Sequence, residues 1–144
     1  MLVIGLTAAA AAVALAVLVL RRFFAVVQVV GISMEPTFHT GDRLLVRRRR
    51  LSRLRVGDVV VFERPPGWPV AGEFASRRQW MVKRVAALPG DPVPAQVTTA
   101  VAERRVGQGR LVVLGDNPAF SFDSRQFGLL PADRLLGVVL RRMR

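Results

Sequence analysis

The hydrophobic positions of this chain fall into two patterns. Residues 2–20 form one run without a charged residue, rich in Ala, Leu and Val. A helix of this length rises about 28 Å, close to the thickness of a bilayer core, so the run predicts an apolar helix. From residue 43 onward the apolar residues occur in short runs, separated by turn signals roughly ten residues apart. This second pattern predicts a mostly β domain.

Short runs rich in Val and Leu, bounded by glycine, proline and aspartate, locate the strands. The predicted strands are 44–46, 59–62, 80–87, 111–114 and 135–140, with a weaker candidate at 97–101 and a loop at 65–79. The apolar segment 23–30 leads from the helix into the first strand. We therefore expect two parts, an anchor at 1–22 and a compact β domain at 23–144.

The N-terminal run is interpreted as a single transmembrane helix. A cleaved export signal is the alternative, but such signals carry basic residues before the apolar run, and here the basic pair Arg21-Arg22 follows it. The same pair creates a conflict, because the positive-inside rule would place it and the β domain in the cytoplasm. The orientation of the helix is therefore open.

The chain is strongly basic, with a formal net charge of +12. This charge favours an anionic partner, either phospholipid headgroups or nucleic acid. No helix-turn-helix or aromatic-basic motif occurs in the sequence, so nucleic acid is not expected, and the apolar run favours membrane phospholipids. The arginines at 47–50, 53 and 55 form a basic loop that is either solvated or in contact with anionic lipid.

Composition also limits the possible chemistry. The chain has no cysteine, which excludes a disulfide framework and a thiolate nucleophile or metal ligand, and its one histidine, His39, excludes a multi-histidine metal site. Of its 22 basic residues, 21 are arginine and one is lysine, Lys83. A coding bias toward arginine explains this ratio. Yet a buried lysine loses its proton where arginine does not, so Lys83 is a candidate general base.

Ser33 is the candidate nucleophile, and a serine hydroxyl needs a base to accept its proton. Three bases are available: His39, a carboxylate pair made by Asp116 and Asp123, and Lys83. His39 is too close to Ser33 in sequence for ordinary triad geometry, and no spacing marks a proton shared by the aspartates. Lys83 has apolar neighbours whose packing would lower its pKa, although an exposed strand lysine is the alternative.

Four boxes of this sequence resemble those of the type I signal peptidases. Residues 33–37 (Ser-Met-Glu-Pro-Thr) are similar to the serine box of that family, and residues 81–85 with 88–91 are similar to its lysine box. Residues 57–62 resemble the box between these two, and residues 115–128 resemble the C-terminal box. Each box alone is moderately specific. Four boxes in family order identify the chain as a member of this family.

The resemblance implies a membrane-anchored serine endopeptidase that removes signal peptides from exported precursor proteins on the extracytoplasmic side of the membrane. By position, Ser33 would be the nucleophile and Lys83 the general base, with no metal or cofactor. Ser121 would hydrogen-bond and orient the lysine. Asp123 and Arg125 would form an ion pair that supports this corner of the site.

The resemblance also implies a shallow apolar cleft that selects small residues before the scissile bond, because tight apolar walls reject bulk. Six residues would line this cleft: Val27, Val29, Met34, Phe38, Met81 and Val82. A turn would pack close to the lysine, made of Gly115, Asp116 and Asn117.

Three departures from the family pattern bear on function. Gly31 stands where many members carry a serine whose hydroxyl joins the oxyanion hole, which would leave the Ser33 N–H as the donor. Residues 118–120 (Pro-Ala-Phe) stand where more polar residues are usual. Residues 92–109 leave little room for the extra β domain of larger members. A dedicated maturation protease for a single precursor is therefore an alternative to a general signal peptidase.

Two further functions compete with a signal peptidase. A self-cleaving repressor uses the same serine/lysine chemistry on a related β fold, but it needs a DNA-binding module where this chain has its apolar run. A catalytically inactive, basic protein that binds membrane surfaces is the non-enzyme alternative. Reaction of Ser33 with an acylating inhibitor separates this alternative from an enzyme.

Overall fold

The computed structural model describes residues 2–64 and 80–143, with side chains described from residue 10 onward in the first helix. Helix α1, Leu2–Phe23, covers the apolar run and has Arg21 and Arg22 in its last turn. Within the described parts of the chain, no helix combines the length and the apolarity that crossing a membrane requires. The predicted N-terminal helix is confirmed, and its assignment as a transmembrane span is not supported.

Among the described residues, seven strands and a second, shorter helix follow. The strands are β1 (Phe24–Gln28), β2 (Arg43–Arg47), β3 (Val59–Glu63), β4 (Trp80–Ala87), β5 (Arg110–Leu114), β6 (Leu130–Pro131) and β7 (Leu135–Met143). Helix α2, Ser124–Phe127, lies between β5 and β6 in the chain. The strands form one antiparallel sheet in the order β1-β2-β7-β3-β4-β5-β6. The mostly β fold predicted from the sequence is therefore confirmed.

Apolar side chains are buried on both faces of this sheet. One cluster contains Val27, Val29, Met34, Leu44, Val46, Val59, Val61, Val82 and Leu136. The other contains Leu54, Val60, Phe62, Val85, Leu111, Val113, Leu130 and Val138. Residues 59–62 alternate between the two clusters, because successive strand side chains point to opposite faces. Burial on both faces fixes the register in which Lys83 of β4 pairs with Val60 of β3.

Most strand predictions agree with the structure. The strand predicted at 80–87 has the bounds of β4, and the last strand continues past residue 140 to Met143. The candidate strand at 97–101 is wrong, because a 3-10 helix, Ala95–Val97, begins this segment and the Thr98 hydroxyl donates to Ala95 O. The loop predicted at 65–79 lies outside the described residues. The division at residue 22 stays a prediction.

Candidate active site

Ser33 lies in the connection between β1 and β2. Hydrogen bonds between residue 29 and residues 41 and 42 close the base of this connection. Above it, the Thr40 hydroxyl contacts both the N–H and the carbonyl oxygen of Gly31, each at 3.1 Å. Gly31 has a φ of +99°, a conformation that favours glycine. The connection therefore holds Ser33 beyond the end of the edge strand β1.

Lys83 lies on β4, in the interior of the sheet, and is only 3% exposed. Its Nζ is 2.6 Å from Ser33 Oγ, although the two residues are 50 positions apart in the chain. Lys83 pairs with Val60 of β3, and the next residue, Arg84, pairs with Leu114 of β5. The fold thus brings the candidate nucleophile and the favoured candidate base within hydrogen-bonding distance.

Burial of the Lys83 side chain lowers its pKa from 10.5 to about 8. The negative charges of Asp123 and Asp116 oppose this effect, whereas the positive charge of Arg125 adds to it. A lysine with a pKa near 8 is partly neutral under mildly alkaline conditions. A neutral amine in hydrogen-bonding contact with a hydroxyl has the chemistry of a general base.

Asp123 is fully buried beside this pair and caps the N-terminus of α2. Its carboxylate accepts hydrogen bonds from the Gly115 N–H at 2.8 Å, from the Ser121 hydroxyl at 2.5 Å and from the Arg125 guanidinium at 2.5 and 2.9 Å. Burial alone would raise the pKa of Asp123, but these hydrogen bonds outweigh it and hold the pKa below its usual range. The carboxylate therefore stays charged near Lys83.

The position of Ser121 differs from what the family resemblance implies. Its hydroxyl donates to Asp123 Oδ2, and no described hydrogen bond joins it to Lys83. The buried carboxylate is a charged acceptor, which suits the hydroxyl as a donor. Ser121 is thus bonded to Asp123, whose negative charge acts on Lys83. The ion pair of Asp123 and Arg125 has the geometry that the resemblance implies.

The turn at residues 115–117 packs against the backbone of the serine connection. The Asn117 N–H donates to Ser33 O at 3.0 Å, and the Asn117 side-chain amide donates to Ile32 O at 3.1 Å. Gly115 has no room for a side chain, because a Cβ there would overlap Ser121 and the backbone oxygen of Ser33. The turn thus holds the backbone of Ser33 in place.

Sequence analysis missed two residues that support this turn. Arg84 donates two hydrogen bonds to the Asp116 carboxylate, at 2.6 and 2.8 Å, and the Thr37 hydroxyl donates a third at 2.5 Å. Burial would raise the pKa of Asp116, but Arg84 and Thr37 hold it below its usual range. Both residues could have been predicted as site residues, because Arg84 adjoins Lys83 and Thr37 belongs to the serine box. These bonds tie the serine connection, β4 and the C-terminal turn together.

A cleft of about 620 Å³ opens in front of Ser33 and Lys83. Five of the six residues predicted to line it do so: Val27, Val29, Met34, Met81 and Val82. Phe38 does not line the cleft and packs instead against the buried cluster around Met34. Sequence analysis missed other apolar lining residues: Val26, Val30, Ile32, Trp80, Phe120 and Phe122. The cleft is therefore mostly apolar and open to solvent in front of Ser33 and Lys83.

The other candidate bases are placed differently. His39 is exposed, and its described contact is a backbone hydrogen bond to Asp42. Asp116 and Asp123 are each bound by an arginine. Among the described residues, no three side chains of the His, Cys, Asp or Glu type come close enough to hold a metal ion. Of the three candidate bases, Lys83 is the one that the structure places in hydrogen-bonding contact with Ser33.

The sequence is similar to known peptidases over most of its length. The family described as signal peptidase, peptidase S26, matches residues 3–99 and 94–143. Probable signal peptidase I-1 of Synechocystis sp. is 33% identical, covering 90% of this chain and 77% of that protein. Signal peptidase I V of Bacillus subtilis is 27% identical, covering 88% and 90%. Mitochondrial inner membrane protease subunit 1 of Schizosaccharomyces pombe is 29% identical, covering 78% and 69%.

Proposed function

The chain belongs to the signal peptidase family, peptidase S26, and on this basis we propose that it is a serine endopeptidase that removes signal peptides from precursor proteins. We further propose that Ser33 and Lys83 form its catalytic dyad. One observation carries this proposal: the buried Lys83 Nζ lies 2.6 Å from Ser33 Oγ at the floor of an apolar cleft.

In the proposed reaction, neutral Lys83 takes the proton of Ser33 as Oγ attacks the scissile carbonyl carbon. The Ser33 backbone N–H donates to the oxyanion that forms, since Gly31 has no hydroxyl to contribute. The carbon–nitrogen bond breaks, and the Lys83 ammonium gives its proton to the leaving amine. Lys83 then takes a proton from water, whose oxygen attacks the ester and releases Ser33 with its proton restored.

We propose supporting roles for the C-terminal turn and for Asp123. Asn117 holds the carbonyl oxygens of Ile32 and Ser33, which orients the Ser33 N–H and Oγ together. Asp123 carries a full charge close to Lys83 and limits how far burial lowers the lysine pKa. Arg125 and Ser121 fix that carboxylate in place. These groups are positioning residues, because none of them reaches the reacting atoms.

The apolar cleft supports a substrate with small, uncharged residues before the scissile bond. Its lining contains the valines at 26, 27, 29 and 30, whose branched side chains form an apolar wall next to Ser33. A signal-peptide end that lies extended along β1 would present such residues to this wall. We propose precursor proteins at a membrane surface as the substrates; the Schizosaccharomyces pombe relative is named as an inner membrane protease. Contact with phospholipids and an extracytoplasmic site of action are part of this proposal.

A pH profile of cleavage tests the dyad. With a signal-peptide substrate, kcat/KM should rise about tenfold per pH unit below pH 8 and level off above it, because only the neutral amine accepts the proton. Lys83→Arg keeps a cation but loses the titratable base, so its activity should fall by about 100- to 10,000-fold. Ser33→Ala should be inactive, and a serine-directed acylating inhibitor should label the wild type only.

His39→Gln is the matched control, because His39 is the other candidate base and its side chain is exposed. This variant should keep wild-type activity and the same pH profile. Substantial cleavage by Lys83→Arg would sink the assignment of the base. Failure of the inhibitor to label Ser33 in the wild type would favour an inactive membrane-surface protein.

A further inference from the structure

The arginine-rich loop lies beside the end of helix α1. The Arg48 N–H donates to Phe23 O at 2.8 Å, and Arg47 pairs with Phe24 across β1 and β2. The last turn of α1 carries two more arginines, and the Arg53 N–H donates to Arg50 O, which folds the far end of the loop back. We name this set the arginine collar: Arg21, Arg22, Arg47, Arg48, Arg49, Arg50 and Arg53.

Within the described parts of the chain, no ion pair joins an acidic side chain to a collar arginine. Ion pairs are made by Arg84, Arg110, Arg125 and Arg142, which lie outside the collar. Six of its seven side chains are exposed, and the seventh, Arg49, donates to Arg53 O at 3.4 Å. Like charges so close together create a strongly positive local potential that attracts anions.

An exposed apolar surface adjoins the collar on α1. The large side chains of Leu15, Leu18, Leu20 and Phe23 are between 54% and 64% exposed. Soluble domains rarely expose apolar patches of this kind without a binding partner. Apolar side chains followed directly by cations match the layers of a bilayer boundary, where acyl chains adjoin anionic phosphates.

We propose that the arginine collar binds the anionic headgroups of a lipid bilayer and holds the β domain against the membrane surface. Guanidinium groups suit this role, because their planar donors bind phosphate oxygens in pairs. Nucleic acid offers the same phosphates but no acyl layer for the adjoining apolar side chains, so the bilayer is the better fit. The inference rests on the proposed function only in placing the enzyme at a membrane; the collar itself does not include Ser33 or Lys83.

The test compares vesicles of phosphatidylcholine with vesicles that also contain phosphatidylglycerol. The full chain is sedimented with each, and the ratio of the two partition coefficients is the readout, because the apolar contribution of α1 is common to both vesicles and cancels. Arg48→Gln/Arg50→Gln is the test variant. Each cation near an anionic surface contributes roughly fivefold, so removing two should lower the ratio by about 25-fold. Raising the salt concentration should lower the wild-type ratio toward that of the variant.

Arg43→Gln/Arg104→Gln is the matched control, since it removes the same charge from exposed side chains outside the collar. Arg43 begins β2 at the end opposite Arg47, and Arg104 lies in the loop before β5. The control should keep the wild-type ratio. Equal losses in both variants would overturn the proposal, since net charge would then explain binding.

Two more outcomes would also overturn the proposal. The first is a ratio of partition coefficients near one for the wild type. The second is tight binding of single-stranded RNA that displaces the protein from the vesicles. The Ser33→Ala protein gives an independent arm, because it should keep the full vesicle preference. A failed peptidase assay would thus leave the lipid result standing, and the two proposals can fail separately.

Discussion

Gly115 decides how closely the C-terminal turn approaches the nucleophile. A Cβ at this position would overlap both the Ser121 side chain and the backbone oxygen of Ser33. The same residue donates its N–H to the Asp123 carboxylate at 2.8 Å. One glycine therefore joins the backbone of the candidate nucleophile to the carboxylate near the candidate base.

Gly115→Ala tests this close approach. The added methyl must push apart the Ser33 connection and Ser121, so the free energy of unfolding should fall by about 1–3 kcal/mol. Activity should fall by about a hundredfold, because a shift of about 1 Å at the nucleophile has that effect. Denaturant unfolding and kcat measure the two results. Gly107→Ala is the control, since nothing lies within 4 Å of a Cβ at Gly107, and it should change neither quantity.

The candidate site residues can be predicted from the sequence, but their hydrogen bonds cannot. Ser33 and Lys83 were found because four boxes kept their order and because lysine occurs once in an arginine-rich chain. The hydrogen-bond partner of Ser121 could not be predicted, since Lys83 and Asp123 are both candidates and only the packing of the fold decides between them. Thr37 and Arg84 donate hydrogen bonds to Asp116 from segments distant in sequence, and the hydrophobic pattern carries no information on such contacts.

The short 3-10 helix Pro118–Phe120 contributes an exposed aromatic side chain to the cleft. Asn117 anchors its start through Ser33 O, and Ser121 anchors its end through Asp123. Between these anchors Phe120 lines the cleft while remaining 65% exposed. A large ring kept in water beside a reactive pair is a surface that a bound peptide would cover.

Phe120→Ala tests whether the ring contacts substrate. Covering part of a phenyl ring contributes about 1–2 kcal/mol, so KM for a signal-peptide substrate should rise about tenfold. The chemical step should be unchanged, because ring contact binds ground state and transition state alike. Val56→Ala is the control: Val56 is 57% exposed but lies outside the cleft lining. A fall in kcat with constant KM would instead assign Phe120 to positioning of the dyad.

Elements with a clear periodicity of apolar residues can be predicted from the sequence, whereas elements that depend on local hydrogen bonds cannot. Strand β4 was predicted with its observed bounds, because turn signals limit it and apolar side chains alternate along it. The segment after residue 95 is rich in Val and Thr and was taken for a strand. A 3-10 turn forms there instead, which lets Val97 and Val101 pack beside Val106 and Val112. Burial of valine therefore did not require a strand.

For the molecule as a whole, Lys83 is the residue that most strongly couples stability to pH in the alkaline range. The chain has no cysteine, no tyrosine and no other lysine, so apart from its amino terminus no other group titrates between about pH 8 and 10.5. In the folded state burial lowers the pKa of Lys83 to about 8, while the unfolded chain keeps 10.5. The unfolded state thus binds one more proton than the folded state throughout this interval. Stability therefore rises with pH from about 8 to 10.5.

The free energy of unfolding should increase by about 3 kcal/mol across this interval, as the fall in pKa from 10.5 to about 8 requires. Urea unfolding at several pH values measures the increase. Lys83→Met removes the titrating group, so its stability should stay flat and should exceed that of the wild type most clearly below pH 8. Lys83→Arg should also be flat but less stable at every pH, because its buried guanidinium cannot lose its charge. A flat wild-type profile would mean that Lys83 keeps an ordinary pKa, and a base active near neutral pH would then need another origin.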